Sequence, residues 1–360
     1  MLNSIKRNFR NLGRKSLSAI LSSSLSLTSI APAFSEYDPK IADTNYTWDL
    51  VNSPTDELQE LESVNGYLFS IRNPNPSDSL QNGPIFRSEN NGDSWSQMQL
   101  PPPEFFYFAG KLYDMDDDLG NLYISCDNGI LMTKDNGKNF DWSFLWYWDP
   151  TTSVDFKNGY GWATVKNWGS MSGPIRLSPE GYWERQRGNI TWAEMSMSNV
   201  VSDSLDPLNI AYADNWRTKD GGETWERIGA IDFNVLVDGT STAIRQNQYS
   251  QDYGRTWRNL GISPTALERF EQSGQLFAGT QNGVYIGRPQ NWQKIGLNNV
   301  KVKSLTLNDD YLFALTNGGD IYRSDISPEL SKVEKLFNLS NSWHNTTDAN
   351  DLIKMLEENR

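Results

Sequence analysis

The chain has 360 residues, of which 37% are hydrophobic and 12% aromatic, enough for two average domains or one large all-β domain. Its 32 basic and 45 acidic residues give a net charge of −13, which argues against nucleic acid and anionic membrane surfaces as partners. Cys126 and His344 are each the only residue of their type, which argues against an intrachain disulfide, a histidine-based metal site and a histidine-dependent catalytic triad.

Residues 1–35 are predicted to be a cleaved signal peptide. Five basic residues and no acidic ones precede the apolar run Leu17–Ile30, which ends in APAFS, with small residues suited to cleavage. The run is too short and too rich in serine to span a bilayer well. We therefore expect a secreted or periplasmic protein with no stable transmembrane anchor. Because the segment is also rich in Ser and Arg, an organellar transit peptide is the alternative. Removing it leaves a net charge of about −18.

A short motif recurs along the rest of the chain. Its four clear copies are SENNGDSW (88–95), TKDNGKNF (133–140), TKDGGETW (218–225) and SQDYGRTW (250–257), and weaker copies begin at Ser178, Gly287 and Ser324. Successive copies begin 45, 45, 40, 32, 37 and 37 residues apart. A period near 40 residues, with three apolar strands before each copy and one after it, predicts an all-β, seven-bladed β-propeller with four antiparallel strands per blade.

We call the four clear copies box turns, because their residue types suit the tight turn between the third and fourth strands of a blade. Glycine allows a positive φ, and the Asp or Asn side chain can accept backbone hydrogen bonds across the turn. The terminal aromatic residue is expected to pack between neighbouring blades. The structural residues predicted in this way are Asn90, Trp95, Asp135, Phe140, Asp220, Trp225, Asp252 and Trp257.

The motif resembles the Asp-box, or BNR repeat, of sialidases, some other glycoside hydrolases, sortilin-type receptors and photosystem II assembly-factor-like propellers. The resemblance extends over roughly residues 45–340 and implies a propeller of the same broad class as WD40 and YVTN-like repeats. In those families the box lies at the periphery, away from the active site. We accordingly assign 44–340 to the propeller and 341–360 to a C-terminal tail.

Two segments, one at each end of the predicted propeller, could supply the strand that closes the ring. TNYTWDLVNS (44–53) looks like the strand that follows a box, so it could complete the last blade and close the ring. LSKVEKLF (330–337) is the alternative closing strand. In the tail, Asp348 is a suitable N-cap for a short helix over 348–359 with one apolar stripe.

The ligand-binding face is predicted opposite the box turns, where second and third strands are joined and one blade is linked to the next. Long or aromatic-rich loops fall on this face in blades 1 to 4. Arg72, Lys166 and Arg245 fall at the ends of second strands on the same face. Their pairing with Asp127 and Asp214 is the interpretation that competes with ligand binding. The predicted binding residues are Trp146, Tyr147, Trp148, Trp168, Trp192, Phe106, Tyr107, Arg72, Lys166 and Arg245.

The predicted function is a non-catalytic scaffold that binds a protein or a glycan, with no catalytic residue, no metal and no cofactor assigned. The alternative is a glycoside hydrolase. The resemblance to sialidases implies an arginine triad, a tyrosine nucleophile and an acid, but their early Arg-Ile-Pro signature is missing. Acidic residues on the predicted face (Glu104, Asp149, Glu194 and Asp214) keep the enzyme alternative open. The sequence leaves the partner and the oligomeric state undetermined.

Overall fold

The computed structural model of the protein describes residues 46–72, 83–100, 110–145, 150–166, 172–178, 180–186, 188–191, 197–237, 239–270 and 274–326. The predicted signal peptide and C-terminal helix lie outside these residues. No helix in the described segments is long and apolar enough to cross a membrane.

The described chain folds into seven antiparallel sheets of four strands each, which confirms the predicted seven-bladed propeller. Blade 1 consists of β2 (Leu58–Val64), β3 (Tyr67–Arg72), β4 (Ile85–Ser88) and β5 (Ser96–Gln97). Blade 2 consists of β6 (Leu112–Asp118), β7 (Asn121–Cys126), β8 (Gly129–Thr133) and β9 (Asp141–Leu145). Blade 3 consists of β10 (Thr151–Lys157), β11 (Tyr160–Val165), β12 (Gly173–Leu177) and β13 (Trp183–Arg185).

The remaining blades repeat this order. Blade 4 consists of β14 (Val200–Ser202), β15 (Ala211–Ala213), β16 (Trp216–Thr218) and β17 (Glu226–Arg227). Blade 5 consists of β18 (Phe233–Val237), β19 (Thr240–Arg245), β20 (Gln248–Ser250) and β21 (Arg258–Asn259). Blade 6 consists of β22 (Pro264–Phe270), β23 (Gln275–Thr280), β24 (Gly283–Arg288) and β25 (Asn291–Gly296). Blade 7 takes β26 (Val302–Leu307), β27 (Tyr311–Thr316) and β28 (Ile321–Asp325) from one end of the chain and β1 (Asp49–Val51) from the other.

The ring is closed by the N-terminal strand. Asp49 pairs with Arg323 and Val51 with Ile321, so β1 is the fourth strand of blade 7. This confirms the first of the two predicted closures, whereas the competing segment 330–337 lies outside the described residues. This pairing makes β1 rather than β28 the outer edge of blade 7 and joins strands from both ends of the described chain in one blade.

The hydrophobic core is divided among the blade interfaces. Second strands such as β23 (QLFAGT) and β27 (YLFALT) are buried along almost their whole length, because each lies between two neighbouring sheets. Seven clusters of buried side chains occur in the described part of the chain, one at each junction between adjacent blades. Stability therefore depends on contacts around the ring rather than on one central core.

The antiparallel order gives the ring two different faces. The link face carries the loops between second and third strands and the links from one blade to the next. The turn face carries the other hairpins, including the four box turns and the weaker copies at Ser178 and Gly287. The copy at Ser324 likewise ends the third strand of its blade. The ends of the second strands and the box turns thus lie on opposite faces.

Candidate ligand-binding face

The four box turns share one hydrogen-bond pattern, shown in full by the turn after β16. The Thr218 hydroxyl accepts the Gly222 N–H at 2.8 Å and donates to Asp220 Oδ1 at 2.9 Å. Asp220 then accepts the Thr224 N–H at 2.8 Å and the Thr224 hydroxyl at 2.5 Å. Corresponding Ser/Thr and carboxylate bonds occur in the turns that begin at Thr133 and Ser250.

The first box turn varies the pattern because it has Asn90 in place of aspartate. Asn90 Oδ1 accepts the Ser94 N–H at 2.9 Å, and its amide donates to the Ser94 hydroxyl at 2.9 Å. Elsewhere the carboxylates are stabilised as anions. The Thr256 hydroxyl bond contributes most to holding the pKa of Asp252 well below its usual range, and the Asn139 N–H contributes most at Asp135. The box-turn carboxylates therefore stabilise the turns that contain them.

The aromatic residues that end the box turns face neighbouring blades to different degrees. Trp225 is 3% exposed and packs edge-on against Trp162 of blade 3, with ring centroids 6.0 Å apart. Phe140 is also buried, in the cluster between blades 1 and 2. Trp95 and Trp257 are only partly buried. All four lie against clusters that join two blades.

Most of the predicted aromatic surface falls on residues that the structure does not describe. These residues are Phe106, Tyr107, Trp146, Tyr147, Trp148, Trp168 and Trp192. Three of the acids that the enzyme alternative relied on, Glu104, Asp149 and Glu194, also lie outside the described segments. Their grouping on one face stays a prediction.

The three predicted cations do lie on the link face. Arg72 and Arg245 are the last residues of β3 and β19, and Lys166 directly follows β11. The Arg245 guanidinium lies 3.8 Å from the centroid of the Trp257 ring, and its Nε donates to Gln248 Oε1 at 3.2 Å. This cation is therefore held by stacking within its own blade.

In the described segments, no ion pair within 4.0 Å joins these cations to Asp127 or Asp214, although Lys166 lies near enough to Asp214 to act on the pKa of its carboxyl group. Asp127 accepts the Lys111 N–H at 2.8 Å, and Asp214 accepts the Asn199 N–H at 3.0 Å. Both carboxylates therefore bind backbone N–H groups just before the first strand of their own blade. Burial raises the pKa of Asp214, with Lys166 acting weakly against it.

The link face contains an open surface depression between blades 5 and 6, called the groove below, which sequence reasoning missed. It is lined by Asp232, Phe233, Gln246, Ser263, Pro264, Thr265 and Gln281. Phe233 and Pro264 begin the first strands of their blades, whereas Gln246 and Gln281 follow the second strands. No motif marks these residues, because the groove arises only when two blades are placed side by side.

Two contacts shape this groove. Gln246 has a positive φ of 48°, and Asp232 Oδ2 accepts its N–H at 2.5 Å, which holds the turn in this conformation. Thr265 donates its hydroxyl to the Val302 carbonyl of blade 7 at 2.7 Å. The Gln246, Gln281 and Ser263 side chains are exposed at the rim. The groove thus offers amide and hydroxyl groups beside a partly buried aromatic ring.

Two observations concern the candidate metal ligands and the thiol of the described segments. They contain no group of three or more His, Cys, Asp and Glu side chains placed to hold a metal ion. The Cys126 thiol is buried, and burial raises its pKa to about 12. A thiol of that pKa is a poor nucleophile near neutral pH.

Comparison with known proteins shows the fold alone. The sequence matches no family model and no curated protein. Virginiamycin B lyase from Staphylococcus aureus is similar over 78% of this chain and 99% of its own, with 12% identity and a TM-score of 0.57. YCF48 bound to D1 peptide is similar over 78% of this chain and 97% of its own, with 14% identity and a TM-score of 0.53.

A third similar structure is the extracellular domain of BT4673, a putative hybrid two-component system from B. thetaiotaomicron. It matches over 78% of this chain with 11% identity and a TM-score of 0.54, and this chain covers 43% of its length. In a second structure of that domain, the corresponding coverage is 40%. All of these structures are below 25% identity, so activities and ligands of the whole proteins do not transfer with the fold.

Proposed function

We propose that this protein is an exported, non-catalytic propeller that binds an extended segment of a partner protein across its link face. The observation that carries the proposal is the groove between blades 5 and 6, which opens on the face where the sequence places the binding loops. Rigid rings with variable loops on one face are well suited to such recognition. The proposed subfamily rests on the Asp-box resemblance. The proposed export rests on the predicted signal peptide.

The chemistry of the groove favours a neutral, hydrogen-bonding ligand. Gln246 and Gln281 each carry a donor and an acceptor, the pair of functions that an extended peptide backbone also presents. Phe233 and Pro264 provide an apolar floor for one side chain of the bound segment. Asp232 is the acidic lining residue, and its carboxylate already accepts the Gln246 N–H. A strongly anionic ligand would meet repulsion from a chain of net charge −13.

Two comparisons support parts of the proposal. The YCF48 structure contains a bound peptide, which gives a precedent for a peptide on this fold. The BT4673 domain is extracellular, which gives a precedent for an exported propeller. A glycan is the main competing ligand, because sugar hydroxyls use the same amide partners and the same aromatic surface.

Peptide selection tests the proposed function. The purified protein is used to select binders from a displayed library of random peptides, and Kd is measured for the wild type and for Gln246→Ala/Gln281→Ala. We expect at least a tenfold loss of affinity in the double variant, because it removes two pairs of hydrogen-bonding groups. Gln97→Ala, an exposed glutamine on β5 of blade 1, is the matched control and should bind like the wild type.

The enzyme alternative needs a separate experiment. The protein is assayed against a panel of aryl glycosides and a glycan array, with Glu104→Gln and Asp149→Asn as variants. The scaffold proposal predicts no turnover of any glycoside. Turnover that disappears in either variant would replace the binding function with glycoside hydrolysis, and glycan binding without peptide binding would make a sugar the ligand.

A further inference from the structure

An arginine in the third strand joins neighbouring blades on the turn face. Arg87 of blade 1 donates from Nη1 to the Asn136 carbonyl of blade 2 at 2.6 Å. Arg323 of blade 7 donates from Nη1 to the Asn91 carbonyl of blade 1 at 3.0 Å. Each arginine directly precedes the first residue of a box motif, and each acceptor is the fourth residue of the next box turn. The arginine thus attaches its blade to the box turn beside it.

The same two arginines also contact carboxylates. Arg87 Nη2 contacts Glu89, the second residue of its own box turn. Arg323 Nη1 lies 2.9 Å from Oδ1 of Asp93, the sixth residue of the next box turn. Side chains at the second position of one box turn and at the sixth position of the next can therefore reach the arginine between them.

Arg217 holds the equivalent position in blade 4, but the charges around it are reversed. The second residue of its own box turn is Lys219, and the sixth residue of the next box turn, in blade 5, is Arg255. Burial, followed by the charges of Arg217 and Arg255, lowers the pKa of Lys219, which agrees with a close grouping of the three cations. On a chain of net charge −13, such a grouping favours an anionic ligand.

The Arg217 guanidinium is buried and incompletely paired. Its side chain is 3% exposed, and within the described residues its Nη1 has no hydrogen-bond partner. The corresponding Nη1 atoms of Arg87 and Arg323 donate to box-turn carbonyls. A buried charged donor without an acceptor is destabilising. Arg217 therefore retains hydrogen-bonding capacity that an added oxyanion can use.

The box turn that follows Arg217 around the ring is unusual at its fourth residue. Tyr253 stands there with a φ of 61°, whereas Asn91, Asn136 and Gly221 hold this position in the other box turns. A positive φ is tolerated by Asn and Gly but is strained for an aromatic residue, and backbone strain is concentrated at functional sites. The departure from the repeated pattern therefore falls at the same junction as the unpaired guanidinium nitrogen.

One exposed carboxylate already contacts two of the three cations. Glu226 is the cross-strand partner of Arg217, contacts its Nη2, and lies 3.7 Å from Lys219 Nζ. Its side chain is 53% exposed, so it can turn into solvent while β17 stays in place.

A second acid, Asp252, also acts on Arg217. Its carboxylate accepts two N–H groups and two hydroxyl groups of its own box turn and is therefore fixed there. If Glu226 turns away, the three cations and this one acid leave a charge of +2.

We propose that Arg217, Lys219 and Arg255 form a site for a small tetrahedral dianion, inorganic phosphate or sulfate, for which the Glu226 carboxylate competes. An oxyanion in place of that carboxylate can accept parallel hydrogen bonds from Nη1 and Nη2, the bidentate geometry that a guanidinium offers. Two negative charges balance the +2 that remains, whereas a carboxylate ligand supplies only one. The anion site lies on the turn face, opposite the groove, and goes beyond the proposed peptide binding.

Calorimetric titration with inorganic phosphate at pH 8 and low ionic strength tests the anion site. Lys219→Gln/Arg255→Gln should bind at least about tenfold more weakly than the wild type, because two of the three cations are lost. Lys134→Gln/Lys138→Gln removes two cations from the same positions of the blade 2 box turn and should bind within about twofold of the wild type. All four side chains are exposed, so both variants should fold. An equal loss in the two double variants would overturn the site.

Glu226→Gln tests the proposed competition. The substitution keeps the size of the side chain and removes its charge, so phosphate affinity should rise at least about threefold. Sulfate should displace phosphate from the wild type, and acetate at the same concentration should not. Unchanged, weaker or absent phosphate binding in Glu226→Gln, or displacement by acetate as effective as by sulfate, would overturn the proposal.

Discussion

The indole N–H of Trp48 donates a 3.0 Å hydrogen bond to the carbonyl of Ile295. Trp48 immediately precedes the closing strand β1, and Ile295 lies in β25, the fourth strand of blade 6. The bond therefore attaches the N-terminal segment to the blade before the one that it completes. Ring closure is secured by this anchor as well as by pairing with β28.

The same relationship recurs around the ring. A tryptophan just before a fourth strand, or at its first or second residue, donates its indole N–H to the fourth strand of the preceding blade or to the residue that follows that strand. The other bonds of this kind are Trp95 to Asn52 (2.8 Å), Trp183 to Ser143 (3.2 Å), Trp225 to Gln186 (2.7 Å) and Trp292 to Leu260 (2.8 Å). Trp48 thus takes the place of the aromatic residue that ends a box turn, although no box precedes it in the chain.

Replacing Gly296 by alanine should weaken ring closure. Gly296 has a φ of 146°, and a Cβ there would overlap Trp48 Nε1. Gly66 also has a positive φ, of 81°, but a Cβ at that position would meet nothing within 4 Å. We expect Gly66→Ala to lower the free energy of unfolding by about 1 kcal/mol from backbone strain, and Gly296→Ala by about 2–4 kcal/mol. Urea denaturation of both variants measures the difference, and equal losses would show that Trp48 is not a fixed anchor.

Replacing Asp220 by alanine should affect stability without affecting binding. The substitution removes the acceptor of the Thr224 N–H and of the Thr218 and Thr224 hydroxyl groups, so we expect a loss of about 1–3 kcal/mol in the free energy of unfolding. Asp220→Asn should lose less, because Asn90 makes the equivalent backbone bond. Thermal denaturation and peptide affinity are measured together. A fall in affinity with unchanged stability would identify the box turn as a binding site.

Two buried tyrosines should respond differently to loss of the hydroxyl group. The Tyr212 side chain is 1% exposed, and within the described residues its hydroxyl has no hydrogen-bond partner. The Tyr113 hydroxyl donates to Asp127 Oδ1 at 2.6 Å. Tyr212→Phe should therefore leave the free energy of unfolding unchanged or raise it by about 1 kcal/mol, whereas Tyr113→Phe should lower it by about 1–2 kcal/mol. Chemical denaturation measures the free energy of unfolding of both variants. A larger loss in Tyr212→Phe than in Tyr113→Phe would contradict the prediction.

The sequence predicts those features that repeat. The box turns recur with similar spacing because each performs the same hydrogen bonding, and a strand resembling the segment after a box could be assigned to ring closure. Sequence position does not show that Asp127 and Asp214 accept backbone N–H groups of their own blade, so the sequence does not predict these bonds. The groove between blades 5 and 6 has no repeated signal, since Phe233 and Gln281 become neighbours only in the folded ring.

The acidic run DMDDD (114–118) lies between these extremes. Its alternation is visible in the sequence and is typical of a strand with one polar side. The bonds in which Asp114 and Asp116 accept the Val154 and Phe156 N–H groups form only when blade 3 is docked beside blade 2, so the sequence does not predict them.

Photo-crosslinking to a selected peptide tests the central claim, that the link-face groove is the binding site, most directly. A photoreactive amino acid is placed at position 281 in the groove or, in a matched protein, at the equally exposed position 97 on the outer strand of blade 1. Both proteins are irradiated with the same peptide. The proposed function predicts peptide adducts from position 281 alone. Adducts from position 97, or from neither position while the peptide remains bound, would contradict it.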